Sequence, residues 1–154
     1  MPSTESHVSA GILALLERAY WMEMETVMSY LANAAALDGI RAEEVAEALD
    51  ADVDEELGHA RRFAARIKEL YGTPPGSMAF TAEQRTLQPP EDATDVVSVI
   101  RGVIEAEAGA IEHYTRLIEA CDGVDWVTQD MVIDILRDEE SHLRTFERFL
   151  REYE

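Results

Sequence analysis

Lysine is nearly absent from this chain. Lys68 is the only one, and 13 basic residues stand against 32 acidic ones, for a formal charge of -19. Such a surface repels phosphate backbones and anionic membranes, and neither end carries a basic tail, so no direct nucleic-acid partner and no membrane partner are expected. Cysteine is equally scarce. With Cys121 alone, an internal disulfide, a CxxC redox pair and a cysteine-rich zinc site are all excluded within one chain. Five prolines occur, four of them in the pairs Pro74-Pro75 and Pro89-Pro90, with eight glycines, so long stretches are free of helix breakers. No apolar run approaches the roughly 18 residues of a membrane span, and the opening MPSTESHVSA has no basic segment followed by an apolar one. A soluble, unexported, cytoplasmic protein with a single domain over residues 1–154 is expected.

Apolar residues recur at alternating steps of three and four, the pattern of a helix with one buried stripe. The spacing predicts helices over about 9–37, 41–71, 95–121 and 128–153. The first carries Leu13, Leu16, Tyr20, Glu23, Val27, Tyr30, Ala34 and Leu37 on one face and stops at Asp38-Gly39. On the second, Val45, Leu49, Asp52, Glu56, His59, Phe63 and Leu70 share a face, and Gly72 ends it. Thr73 to Glu91 is too long for a tight hairpin and reads as a crossover running the length of a bundle. The third helix aligns Val97, Ile100, Ile104, Glu107, Ile111, Tyr114, Ile118 and Cys121; the fourth, capped by Thr128, aligns Val132, Ile135, Glu139, His142, Phe146, Phe149 and Tyr153. The halves repeat: Glu23 and Glu107 each precede a tyrosine by seven residues, and HARRF from His59 parallels HLRTF from His142. An all-α, antiparallel four-helix bundle follows.

Six polar residues interrupt the apolar stripes. In Glu56-x-x-His59 and Glu139-x-x-His142, three residues of helix turn the chain by about 300° and advance it about 4.5 Å, so both side chains leave one face. Glu23 and Glu107 add one carboxylate from each remaining helix. Four ionised carboxylates inside an apolar core are prohibitively unfavourable unless protonated or neutralised. Two divalent cations supply the balancing charge, and one imidazole for each completes an oxygen and nitrogen set suited to iron or manganese.

Ferritin-like di-iron and di-manganese bundles use this ligand plan. Over almost its whole length the chain resembles bacterioferritin and the bacterioferritin-like branch of the Dps-like mini-ferritins, most closely at EMETVMSYL, DEELGHARRF, AEAGAIEHY and ILRDEESHL. The resemblance implies a ferritin-like fold with two Fe per chain, Mn being the alternative metal. Glu56 and Glu139 would bridge the pair, Glu23 and His59 would complete one site, and Glu107 and His142 the other, with Tyr30 beside the centre. It further implies a ferroxidase that oxidises Fe(II) with O2 or H2O2 and stores or detoxifies iron. A di-iron or di-manganese peroxidase, catalase or oxidase, and a non-catalytic metal-binding or shell-forming protein, are the alternatives. Where bacterioferritins carry a haem-ligating methionine this chain has Leu57, so no haem is expected. The short tail after His142 leaves little room for a fifth helix, which favours a homo-oligomer that is a dodecamer or a dimer. Gly109 and Ile118 stand where Dps-like relatives carry a cysteine pair, so thiol chemistry is not expected. His7 and His113 are read as surface histidines, Asp52 and Glu55 as part of the solvated acidic face, and Cys121 as a small apolar residue.

Overall fold

The computed structural model describes the backbone of residues 4–154 and the side chains from Ala10 onward, so the expectation for His7 lies outside the described side chains. The fold is all-α: α1 (Thr4–Ala36), α2 (Ala42–Glu69), α3 (Val96–Cys121) and α4 (Trp126–Leu150), with single 3₁₀ turns at Ser77–Ala79 and Arg151–Tyr153. Short turns join α1 to α2 and α3 to α4, so each pair forms an antiparallel hairpin, and α1 also packs along α3. Among the described residues no helix is long and apolar enough to cross a membrane.

Two apolar clusters fill the bundle, one at each end. Ile12, Leu16, Phe63, Ile67, Leu117 and Ile135 occupy one; Leu37, Leu49, Val53, Ile100, Val103 and Phe146 occupy the other. All four helices cross the level between them. Because α2 finishes at the first end and α3 starts at the second, the chain must travel the full length of the bundle to connect them, and residues 70–95 do so.

Helix ends differ in detail from the sequence reading. Helix α1 begins at Thr4, several residues earlier than expected. Helix α4 starts at Trp126, and its cap is Asp125 instead of Thr128: the Asp125 carboxylate accepts from Thr128 N at 3.0 Å, while the buried Thr128 hydroxyl donates to the same carboxylate at 2.6 Å. At the end of α2 the left-handed residue is Tyr71, with φ 67°, and not Gly72. Gly72 is required for another reason. A Cβ there would lie 2.9 Å from Leu13 Cδ2 and 3.2 Å from Ile67 O, so the chain turns against its own helix only without a side chain.

The buried stripes follow heptads only half expected. On α1 the line Leu16, Glu23, Tyr30, Leu37 is buried, but its companion is Ile12, Ala19, Thr26 and Asn33 in place of Leu13, Tyr20, Val27 and Ala34. On α3 the line Ile100, Glu107, Tyr114, Cys121 is joined by Val96, Val103, Ala110 and Leu117 in place of Val97, Ile104, Ile111 and Ile118. The α1 row turns inward because the crossover lies on it and uses its polar atoms. Gln84 Nε2 donates to Thr26 Oγ1 at 2.6 Å, and Asn33 Nδ2 donates to Leu87 O at 2.9 Å. The buried Glu25 carboxylate accepts from the backbone N–H groups of Glu83 and Gln84 at 2.8–2.9 Å. These bonds satisfy crossover backbone that would otherwise be buried unpaired.

The crossover presses on α3 at Gly102, where a Cβ would fall 2.4 Å from Thr86 O. Replacement Gly102→Ala is therefore expected to destabilise the fold by about 1–3 kcal/mol through overpacking. Gly11, also helical but with nothing within 4 Å of its Cβ position, is expected to gain about 0.5–1 kcal/mol as Ala. Urea unfolding of the two variants checks both signs.

Candidate metal centre

Each helix brings its polar residue to the level between the apolar clusters by continuing the heptad that buries its neighbours. Glu23 follows Leu16, Glu107 follows Ile100, and the two Glu-x-x-His pairs occupy the inner faces of α2 and α4. The result is a layer in which Glu23, Glu56, Glu107 and Glu139 are 1% exposed, His59 3% and His142 5%. Nothing in propensity favours that; only the fold's register puts them there.

The six converge. Glu23, Glu56, His59 and Glu139 each offer a ligand atom within 4.8 Å of the others, and so do Glu56, Glu107, Glu139 and His142. Glu56 and Glu139 belong to both groups. His59 Nδ1 lies 2.9 Å from Glu139 Oε1 and 3.6 Å from Glu23 Oε1; His142 Nδ1 lies 2.8 Å from Glu56 Oε1 and 3.6 Å from Glu107 Oε1. The two rings are stacked with centroids 6.5 Å apart.

Their outward atoms are held by hydrogen bonds that cross between hairpins. Tyr30 on α1 donates to Glu107 on α3, and Tyr114 on α3 donates to Glu23 on α1. His59 Nε2 pairs with Asp138 at 2.8 Å, and His142 Nε2 pairs with Glu55 at 2.5 Å, with Asp52 at 3.5 Å. Each imidazole is thus aimed by the acid that directly precedes the Glu-x-x-His pair of the opposite hairpin. In the neutral imidazoles such partners favour the tautomer protonated at Nε2, which leaves Nδ1 as a lone-pair donor toward the interior.

Toward the middle of the layer the same side chains crowd together without well-directed hydrogen bonds, the 2.8 Å and 2.9 Å contacts between imidazole and carboxylate included. Glu23 Oε2, Glu56 Oε1, Glu107 Oε2, Glu139 Oε1, His59 Nδ1 and His142 Nδ1 are all buried without a hydrogen bond. Buried polar atoms of native proteins are seldom left so. Six of them pointing at one small volume, four on carboxylates, form a donor set that fits dications.

Without a cation the layer must share protons. Burial, then the charge of Glu56, pushes Glu23 well above the usual carboxylate range, and burial with Glu23 and Glu107 does the same to Glu139. Burial acts to raise Glu56 as well, but the closeness of Glu23, His142 and His59 outweighs it and holds this carboxyl low. Burial would lower the imidazoles; Glu23 and Glu56 instead lift His59 to about 10, and Glu107 and Glu56 lift His142 to about 12. Asp52 is pushed up to about 7, chiefly by burial.

The sequence reading missed the positioning roles of Glu55 and Asp138. The available signal was the acidic residue immediately before each Glu-x-x-His. His113 is not the surface histidine that its place off the apolar stripe suggests. The ring is 5% exposed, and its Nε2 lies 2.8 Å from Leu15 O, because the inward row of α3 passes beside Tyr114. Cys121 is buried, and burial pushes its thiol up to about 11, which disfavours the reactive thiolate.

The chain is 27% identical over 139 residues to the bacterioferritin of Desulfovibrio desulfuricans, spanning 90% of this chain and 73% of that protein. It is 29% identical over 142 residues to the DNA protection during starvation protein of Pyrococcus furiosus, spanning 90% and 76%. Among solved structures, the Desulfovibrio desulfuricans bacterioferritin superimposes with a TM-score of 0.77 at 25% identity, covering 95% of this chain and 81% of that one. A ferritin-like diiron-carboxylate protein from Bacillus anthracis shares the fold with a TM-score of 0.83 at 23% identity, covering 94% and 98%. The dodecameric thioferritin of Bacteroides fragilis shares it with a TM-score of 0.81 at 23% identity, covering 94% and 87%. The ferritin-like domain family matches residues 13–154, and with a bundle and a carboxylate layer of this kind the chain belongs to that family.

Proposed function

We propose that the six buried side chains hold two iron ions and that the protein is a ferroxidase, oxidising Fe(II) in order to store or detoxify it. The observation that carries this reading is the set of six partnerless, inward-facing donor atoms. Glu56 and Glu139, common to both four-residue groups, would be shared by the two ions. Glu23 and His59 complete one site, and Glu107 and His142 the other. Two Fe(II) bound together would supply the two electrons that, with two protons, take O2 to H2O2 or H2O2 to two water molecules.

The protein's own part is to position and to neutralise. Tyr30 and Tyr114 each donate to one oxygen of a terminal carboxylate, leaving the other oxygen free. Glu55 and Asp138 hold the imidazoles with Nδ1 inward. The apolar clusters above and below keep bulk water from competing with the carboxylates. Similarity to bacterioferritin and to the dodecameric thioferritin supports an iron-handling role and assembly as a homo-oligomer. The soluble, cytoplasmic setting belongs to the same proposal.

Replacement Glu139→Gln tests this reading with two opposed signs. A carboxyl whose pKa is raised on folding costs stability at pH values above its unfolded pKa, and the cost is absent once the unfolded chain is protonated too. Hence the metal-free variant is expected to be more thermostable than the parent at pH 7, with the gain shrinking toward pH 4. The parent should be stabilised by added Fe(II) or Co(II) under anaerobic conditions and the variant should not, while Fe(II) oxidation falls about 100-fold or more. Loss of stability at pH 7 in the metal-free variant, or undiminished oxidation, would count against the assignment.

Removing the positioning acids is expected to act more gently. Glu55→Ala and Asp138→Ala should each weaken anaerobic Co(II) binding by about 10–100-fold without changing the number of ions bound at saturation. Equilibrium titration followed by visible absorption reads both quantities.

A further inference from the structure

The centre is closed on one side and thin-walled on the other. Toward α2 and α4 the two stacked imidazoles, tied to Glu55 and Asp138, cover the carboxylates and are themselves 3–5% exposed. Toward α1 and α3 a cavity of about 10 Å³ touches Glu23, Glu56, Glu107 and Tyr114. That is about the space of one water. Directly outside it, under the crossover, lies an open vestibule of about 310 Å³. Three residues, Met22, Gln84 and Ala106, line both spaces. One layer of side chains therefore separates the vestibule from the carboxylates.

Of the three residues in the partition, one is tethered by a single side-chain bond. Gln84 belongs to the crossover and is held at its tip by a single bond, Nε2 to Thr26 Oγ1, while its Oε1 is buried without a partner. Met22 is unbranched and adaptable. The vestibule also has a sign: the acids Glu25, Glu83, Glu105 and Glu112 line it against two cations, Arg18 and Arg116, both already paired with an acid. A mouth with excess negative charge concentrates cations.

We propose that divalent cations enter the carboxylate centre from this vestibule, through the partition of Met22, Gln84 and Ala106, with Gln84 as the moving part. This rests on the two-ion reading of the centre and adds the route and its gate. As Gln84 swings from Thr26, its free amide oxygen faces an arriving cation, and the orphaned oxygens of Glu23 and Glu107 are the next acceptors inward. The crossover, whose length is set by topology, thereby also controls access.

Gly109 makes the test clean. It lines the vestibule on α3, and a Cβ placed on it meets nothing within 4 Å, so a side chain projects into the vestibule without disturbing packing. Anaerobic Co(II) loading, followed in stopped flow by visible absorption, is compared in Gly109→Lys and Gly109→Glu, similar in length and opposite in charge. Loading is expected to be about tenfold slower in Gly109→Lys than in Gly109→Glu at low ionic strength, the ratio collapsing in high salt, with the same two-ion endpoint in both. In Gln84→Ala loading is expected to be faster than in the parent. Equal rates in the two charge variants at low salt, with full loading of both, would show that cations enter elsewhere and overturn the proposal while leaving the two-ion reading intact. Failure of the parent itself to take up two Co(II) would instead overturn the reading beneath it.

Discussion

Four carboxylates buried at one level of an apolar bundle repel one another and miss their water, and the rest of the structure is arranged around that cost. Glu23, Glu56, Glu107 and Glu139 leave a ring of partnerless oxygens facing inward. Among the described residues no Lys or Arg pairs with them; their near neighbours are imidazoles and phenols. Replacing four buried acids by leucines would give a conventional core, so their presence is a matter of function and is sustained by packing elsewhere. That support comes from both apolar clusters, which press on the layer from above and below and give it a fixed depth.

The layer is also woven across the two hairpins. Each tyrosine and each outer acid serves a ligand of the other half: Tyr30 with Glu107, Tyr114 with Glu23, Glu55 with His142, Asp138 with His59. A hairpin alone would hold neither a complete ligand set nor properly aimed imidazoles. The approximate twofold symmetry visible in the sequence is therefore a symmetry of mutual support. It also explains why the acids preceding the Glu-x-x-His pairs sit at the surface yet face inward: their partners lie one helix away.

Much of this was legible in the residues, because helical periodicity is a strong signal and six polar residues inside apolar stripes violate it together. The four helices, the crossover and the convergence of Glu23, Glu56, His59, Glu107, Glu139 and His142 are all consequences of period and spacing. What escaped was whatever depended on a neighbour distant in sequence. Thr26 and Asn33 look like surface residues until the crossover lies on them, and Leu13, Tyr20 and Val27 look more deeply buried than they are. His113 reads as an exposed histidine because its partner is the carbonyl of Leu15, far away in the chain. Gly72 looks like a helix-ending glycine, whereas it is a point of close approach and Tyr71 bears the left-handed turn. Local patterns reveal helices and the faces they bury; the identity of the covering element is a tertiary fact.

The most direct measurement is an anaerobic Fe(II) titration of the metal-free protein, followed by separate additions of O2 and H2O2. Saturation at two irons per chain, with both oxidised on exposure to one of these oxidants, is the result that the proposed function predicts. Saturation at no iron, or two bound irons that stay ferrous with either oxidant, would contradict the account at its centre.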